Sequence, residues 1–246
     1  MGKLKIDKKL PARAPRRARS QDKAAVAPAV QTMPERVAEA LSERIINGHY
    51  ASGERLIEVM LSKEFGVSHG PVRAALRLLE SFGLVTIHAY RGAEVTRLTV
   101  QEVRDVYNLR AAMVSLRAKW IAQDPERMLI VERVGGLVDK LLALGDHDMD
   151  QFLLISFEVN RLLTDSLHNR WLRSTLQAIT MQTSRYSRLA LRDPARRQES
   201  AHLWRMLVNV MAAGDADLAE NVAVTLSLTT RDAAVQALQL EDSGKS

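Results

Sequence analysis

Phe65-Gly66-Val67-Ser68-His69-Gly70-Pro71-Val72-Arg73-Ala74-Ala75-Leu76, continued by Leu78-Leu79 and Gly83-Leu84, spells a helix end, a glycine turn and a second helix. Before it, Ile57 to Phe65 forms a short amphipathic helix, with Leu61 and Phe65 four apart and Glu58, Lys63 and Glu64 facing outward. Gly66 stops that helix, since glycine takes the left-handed conformation at no side-chain cost, and Ser68 is expected to cap the next helix by accepting a backbone N–H. Pro71 falls in the first turn of the second helix, where a missing N–H does no harm. Val72, Leu76 and Leu79 make its buried stripe. His69, Arg73 and Arg77 repeat every four residues on another face and point at whatever lies outside. A helix carried this way fits a groove edged by phosphates, although a plain helical hairpin with a solvated basic face has the same local pattern.

Outward from there, Leu84-Val85-Thr86-Ile87 and Glu94-Val95-Thr96 read as two short β-branched strands around the hairpin Ala89-Tyr90-Arg91-Gly92-Ala93. This is a wing whose tip carries Tyr90 and Arg91, with Gly92 allowing a close backbone approach to phosphate or minor groove. Together with Gly48, Gly53-Glu54-Arg55-Leu56-Ile57-Glu58, Leu61, Gly66-Val67-Ser68, Pro71-Val72-Arg73, Ala75-Leu76, Leu79-Glu80, Gly83-Leu84-Val85 and Arg91-Gly92-Ala93, these elements resemble the GntR family of bacterial transcription regulators, in its FadR-like branch. The resemblance is strong over residues 34–98 and weaker beyond. It implies DNA contacts from Ser68, His69, Gly70 and Arg73, with Arg91 and Gly92 in the wing; Arg77 joins them as the next basic residue on the same helix face. Two departures matter: His69-Gly70 stands where the family usually has Arg-Thr, and Ala74 where it usually has Glu. An imidazole makes fewer hydrogen bonds to guanine than a forked guanidinium, so an operator other than the family's commonest is expected.

The chain of 246 residues is long enough for two modest cores. It has no cysteine, which removes disulfides and thiolate metal sites, and no apolar run near the roughly 20 residues needed to cross a bilayer, so a soluble cytoplasmic protein without a secretory signal is expected. The formal net charge of +6 is localised: Lys3, Lys5, Lys8, Lys9, Arg13, Arg16, Arg17, Arg19 and Lys23 face only Asp7 and Asp22, leaving the remainder of the chain near −1. Residues 1–31 are therefore expected to be a disordered basic tail, either adding salt-sensitive phosphate attraction or merely solvated.

The folded part begins at Thr32-Met33-Pro34-Glu35, a capping-box pattern, with Val37, Leu41 and Ile45 as the first helix's buried stripe and Gly48 beyond its end. A second capping box, Thr99 with Glu102, opens a run of helices expected at 100–122, 126–144, 148–167, 170–192, 195–213 and 215–240. The fold class is thus mostly α: an amino-terminal winged helix-turn-helix over 32–98 and a carboxy-terminal antiparallel helical bundle over 99–246.

The resemblance implies that this bundle binds a small-molecule effector and forms a homodimer. Many members hold a divalent metal through an Asp and a His four apart on one helix plus a His on each of two later helices. Aligned on Asn169 and Gly214-Asp215, those positions fall on Ser156, Asn160, Trp204 and Leu226, none a strong metal ligand, so neither metal nor cofactor is expected. Leu226 falls on an apolar row with Leu218 and Val222. His202 faces away from Trp204, two residues on, and His147 and His168 have no partner four residues further. The remaining cavity is expected to be lined by Phe152, Ile155, Val159, Trp204, Leu207 and Leu226, with Ser156 and Asn160 as polar contacts. Arg110 lies where the family commonly has an arginine near the effector; it serves either as a fork for a carboxylate or as an ordinary salt-bridge partner. Arg185, Arg188, Arg192, Arg196 and Arg197 read as a solvated basic face.

The expected partners are a double-stranded DNA operator, an unknown small molecule and a second copy of the chain, with no membrane. No paired carboxylates, nucleophile-base set or phosphate loop supports an enzyme. The alternative is a helical protein-interaction adaptor with degenerate DNA binding; a non-specific DNA protein acting through the tail is a third reading.

Overall fold

The computed structural model describes residues 31–89, 91–145 and 147–243. The basic tail and Tyr90 at the hairpin tip lie outside the described residues.

The amino-terminal part runs α1 (Met33–Ile46), β1 (Arg55–Leu56), α2 (Glu58–Phe65), α3 (His69–Ser81), β2 (Val85–His88) and β3 (Gly92–Val95). The Glu35 carboxylate accepts both the Thr32 N–H at 2.7 Å and its hydroxyl at 3.0 Å, starting α1 where the capping pattern places it. Gly66 closes α2 in the left-handed region, with φ +65°. Ser68 departs from expectation: its backbone is extended as at a helix start, but its side chain takes no cap hydrogen bond. The first amides of α3 therefore stay open toward the surface. β3 lies between β1 and β2, antiparallel to both, with Arg55 opposite Glu94 and Val85 opposite Val95. β1 was not expected, because two residues are too few to show a period. Val37, Leu41 and Ile45 of α1 meet Leu61, Val72, Leu76, Leu79, Val85 and Val95 in one core. Each such aliphatic side chain contributes about 1.5–3 kcal/mol on burial.

The bundle consists of α4 (Val100–Gln123), α5 (Arg127–Leu144), α6 (Met149–Asp165), α7 (Arg170–Ala190), α8 (Pro194–Ala213) and α9 (Ala216–Ser243). The expected spans hold to within a few residues because polar caps define the starts: Thr99 with Glu102, Asp148, Asn169 and Asp193 all accept backbone N–H groups of the turns they open. α4 and α9 pack along each other with α7 and α8 against both, while α5 lies on α6 and α8. The buried stripe of α9 runs Ala219, Val222, Ala223, Leu226. Leu218 is exposed instead, since a spacing of three and four from Ala219 leaves it off that face.

The amino-terminal part packs directly on α7. Met181 joins its core, and Gly83, at φ +71°, sits where an added Cβ would lie 2.7 Å from Gln182 Nε2. Gly83→Ala is expected to cost about 1–2 kcal/mol for the left-handed backbone alone, read from urea unfolding. Adding Gln182→Ala should recover only the part due to the contact.

Candidate DNA interface and interior cavity

The surface expected to meet DNA is built by α3 and the β2–β3 hairpin. Val72, Leu76 and Leu79 bury one stripe of α3, which forces Ser68, His69, Gly70, Arg73 and Arg77 outward, and all five are exposed. Arg91 and Gly92 are exposed at the hairpin. The Arg73 side chain is 67% exposed, and its Nε donates to Glu58 Oε2 of α2 at 2.8 Å, which orients the guanidinium without consuming its outer nitrogens. His69 Nδ1 lies 3.2 Å from the hydroxyl of the buried Ser62, leaving Nε2 to face outward. Both tethers come from α2, so the first helix of the pair aims the second.

At the other side of the amino-terminal part, α7 holds the end of α1. Arg185 Nη1 donates to the Tyr50 carbonyl at 2.9 Å and to that of Ile45 at 3.5 Å. Arg188 reaches Asn47 Oδ1 at 3.2 Å with one nitrogen and pairs with Asp150 of α6 at 2.7 Å with another. Between them in sequence, the Tyr186 hydroxyl accepts the Leu98 N–H at 2.9 Å on the connection into α4. Burial lowers the pKa of the Arg185 guanidinium and raises that of the Tyr186 phenol, marks of groups drawn out of water.

The reading of this basic run as a solvated face is therefore corrected for all but Arg192, which is exposed and pairs with Glu241. Arg196 is buried against the hydroxyls of Thr229 and Thr230 at 2.8 and 2.9 Å. Arg197, also buried, donates to the carbonyls of Leu191 and Arg192 at the end of α7. A compositional run does not reveal that residues on a packed helix spread over several faces.

Inside the bundle, Arg110, Ser156, Asn160, Trp204 and Leu226 all border one cavity of about 40 Å³. Four helices bring them together: α4, α6, α8 and α9. Leu207 lines it as expected, but α6 contributes Leu153 and Phe157 instead of Phe152, Ile155 and Val159. The lining residues 153, 156, 157 and 160 repeat every three and four, whereas 152, 155 and 159 follow the neighbouring stripe into the apolar core.

The Arg110 salt-bridge alternative fails. Its side chain is 8% exposed, lies over the Tyr107 ring at 5.7 Å, has no partner on Nε and forms no ion pair among the described residues. A second arginine, missed in the sequence, also borders the cavity: Arg117, 2% exposed. Its Nη1 donates to Thr164 Oγ1 at 2.9 Å and to the Asn160 carbonyl at 3.3 Å, and its Nη2 to Asn160 Oδ1 at 3.3 Å. Burial, and then the like charge of Arg110, lower its pKa to about 9. The missed signal lay in the row Val103, Tyr107, Arg110, Val114, Arg117, Ile121, a buried stripe at alternating spacings of four and three that is charged twice.

This cavity does not suit a divalent metal. The Asn160 amide oxygen already accepts from a guanidinium, Trp204 and Leu226 supply no donor, and no group of three or more His, Cys, Asp or Glu among the described residues could hold an ion. His147, His168 and His202 are exposed.

Comparison with known proteins finds a match for each part. Residues 34–95 match the family of bacterial regulatory proteins, gntR family, and residues 105–226 match the FCD domain. The HTH-type transcriptional regulator YdhC of Bacillus subtilis (strain 168), itself uncharacterized, is 33% identical over 141 residues, 56% of this chain and 62% of that protein. The gluconate operon transcriptional repressor of Bacillus licheniformis is 41% identical over 78 residues, 32% of each chain. The chain thus spans less than two thirds of either relative. The structure of E. coli McbR/YncC superposes with a TM-score of 0.73 at 16% identity, covering 84% of this chain and 99% of that one, a likeness of fold.

Arg185→Met should loosen the hold on α1. Losing hydrogen bonds from a charged donor costs about 1.5–3 kcal/mol, so amide exchange at Asn47, Gly48 and His49 is expected to speed by roughly tenfold or more, with Arg192→Met as an unaffected control.

Proposed function

Because the chain joins a gntR-family DNA-binding domain to an FCD domain, we propose that it is a homodimeric, ligand-responsive transcriptional repressor of the FadR-like branch, working in the cytoplasm. Residues 32–98 are its DNA-binding domain and residues 99–246 its effector-binding and dimerisation domain. The observation that carries the reading is the basic stripe of α3, turned outward by the burial of its opposite face and aimed by Glu58 and Ser62.

In this reading each α3 enters a major groove. Arg73 and Arg77 meet phosphates or base edges, His69 reads a base through Nε2, and the open amides at the start of α3 together with Arg91 and Gly92 fix the register on the backbone. Two such helices bind an inverted repeat only when their separation matches the half-site spacing. The bundle sets that separation through α7, whose last turns touch the end of α1 on one side and border the cavity with Ser187 and Leu191 on the other. A ligand that repacks the cavity moves the same turns and changes DNA affinity by linkage. Leu129, Leu154 and Trp171 are apolar and exposed on the bundle, material for pairing two copies. The repressor named among the relatives supports repression over activation. Catalysis plays no part in this reading.

The test is selection from a random duplex library, followed by fluorescence anisotropy on the enriched sequence. An inverted repeat bound at least about a thousandfold tighter than a shuffled duplex is expected, with Arg73→Ala weakening binding by about 1–3 kcal/mol. Failure to enrich any repeat, or selective binding indifferent to Arg73→Ala and Arg91→Ala, would favour the helical adaptor.

A further inference from the structure

We infer that Ser62 fixes where the His69 ring carries its proton, so that His69 presents Nε2–H to DNA as a donor and the base it faces in each half-site is never cytosine. The inference rests on the DNA-binding reading above and names the base chemistry that one of its contacts accepts.

The reason lies in one buried proton. Ser62, 9% exposed, has its Oγ 3.2 Å from His69 Nδ1 and no other side-chain hydrogen-bond partner among the described residues. A serine inside a helix often returns its proton to the carbonyl four residues back, as Ser184 does to Thr180. Ser62 does not, so its single proton has one acceptor to go to, the lone pair of Nδ1. In the opposite arrangement Nδ1–H donates to Oγ and the buried hydroxyl proton is left with nothing. A buried donor without a partner costs more than a bond made the other way round gains. With Nδ1 accepting, a neutral ring carries its proton on Nε2. His69 is exposed, and its Nε2 has no protein partner among the described residues.

Arg73 repeats the arrangement one turn further on. Glu58 and Ser62 stand four residues apart on α2, and His69 and Arg73 four apart on α3, so two rungs join the helices. Each rung occupies an inner nitrogen, Nδ1 or Nε, and leaves the outer nitrogens to the surface. The edge offered to DNA is thus made of donors. Gly70, next in sequence to His69, adds no side-chain acceptor beside it.

In the major groove guanine shows acceptors at N7 and O6, adenine at N7 and thymine at O4, whereas cytosine shows only its N4 donor. One donor is satisfied by any of the first three, so this position tolerates several bases where a forked guanidinium would demand guanine. Opposite cytosine, two donors meet. Ser62 touches no base in this arrangement; it is a positioning residue acting through His69.

The experiment uses the full chain and the repeat enriched from the random duplex library, in fluorescence anisotropy with each half-site position changed in turn. The position whose base preference vanishes in His69→Ala is the one that His69 reads. Cytosine there is expected to bind at least about tenfold more weakly than guanine. Ser62→Ala, which frees the ring to place its proton on either nitrogen, should narrow that gap to about threefold or less, and Ser62→Thr, which keeps the hydroxyl, should preserve it. Glu58→Gln, which touches only the Arg73 rung, should leave the gap in place. Long-range proton–nitrogen NMR spectra of the free protein at about pH 8.5, where an ordinary imidazole is neutral, read the ring itself. An unprotonated Nδ1 and a protonated Nε2 are expected in the wild type, and a mixture of both forms in Ser62→Ala. The inference is overturned if the wild-type ring carries its proton on Nδ1, if His69→Ala alters no base preference, if cytosine binds as well as guanine at the position His69 reads, or if Ser62→Ala leaves the gap as wide. It is overturned too if Glu58→Gln closes the gap as far, since that marks a general loosening of α3. A library that enriches no repeat sinks the DNA-binding reading and this inference together; an enriched repeat with cytosine facing His69 sinks the inference alone.

Discussion

One short stretch of α7 serves two neighbours at once, and the rest of the architecture follows from that. Within it Tyr107 of α4 bonds to the Thr183 carbonyl and the Ser187 hydroxyl, fastening α7 to the bundle. Arg185, Tyr186 and Arg188 reach the other way, to the end of α1 and to the connection before α4. A helix repeats its faces every 3.6 residues, so adjacent positions must serve different partners. A displacement felt by Ser187 at the cavity wall cannot avoid moving the arginine two residues before it. Packed interiors respond to such displacements by switching arrangement more readily than by deforming smoothly.

The local architecture was legible in the sequence wherever a rule acts over a few residues. The Thr32 and Thr99 capping boxes, the left-handed Gly66 and the cap residues Asn169 and Asp193 mark element ends through bonds made within one turn. The outward stripe of α3 follows equally from the spacing of Val72, Leu76 and Leu79. Arg110, Ser156, Asn160, Trp204 and Leu226, the positions that the resemblance singles out, border one cavity because α4, α6, α8 and α9 pack around it.

What escaped depends on tertiary neighbours. β1 exists only because β3 offers it a partner. Arg117 and Arg185 look, residue by residue, like any surface arginine; only the packed structure buries the first and half-buries the second. The shift on α6 from Phe152 and Val159 to Leu153 and Phe157 is a matter of helix rotation, which an apolar pattern on both stripes leaves undetermined. Positive charge held inside a cavity is also a standing liability for stability.

The central claim is that α3 and the hairpin, not the bundle, meet DNA. Hydrogen exchange of the full chain with and without the selected duplex tests it most directly, because it reports contact amide by amide. Protection is expected at the amides of Ser68, His69, Gly70, Val72 and Arg73 and around Arg91 and Gly92, with the outer faces of α5 and α6 unchanged. Protection confined to the bundle helices, with α3 exchanging as in the free protein, would contradict the account.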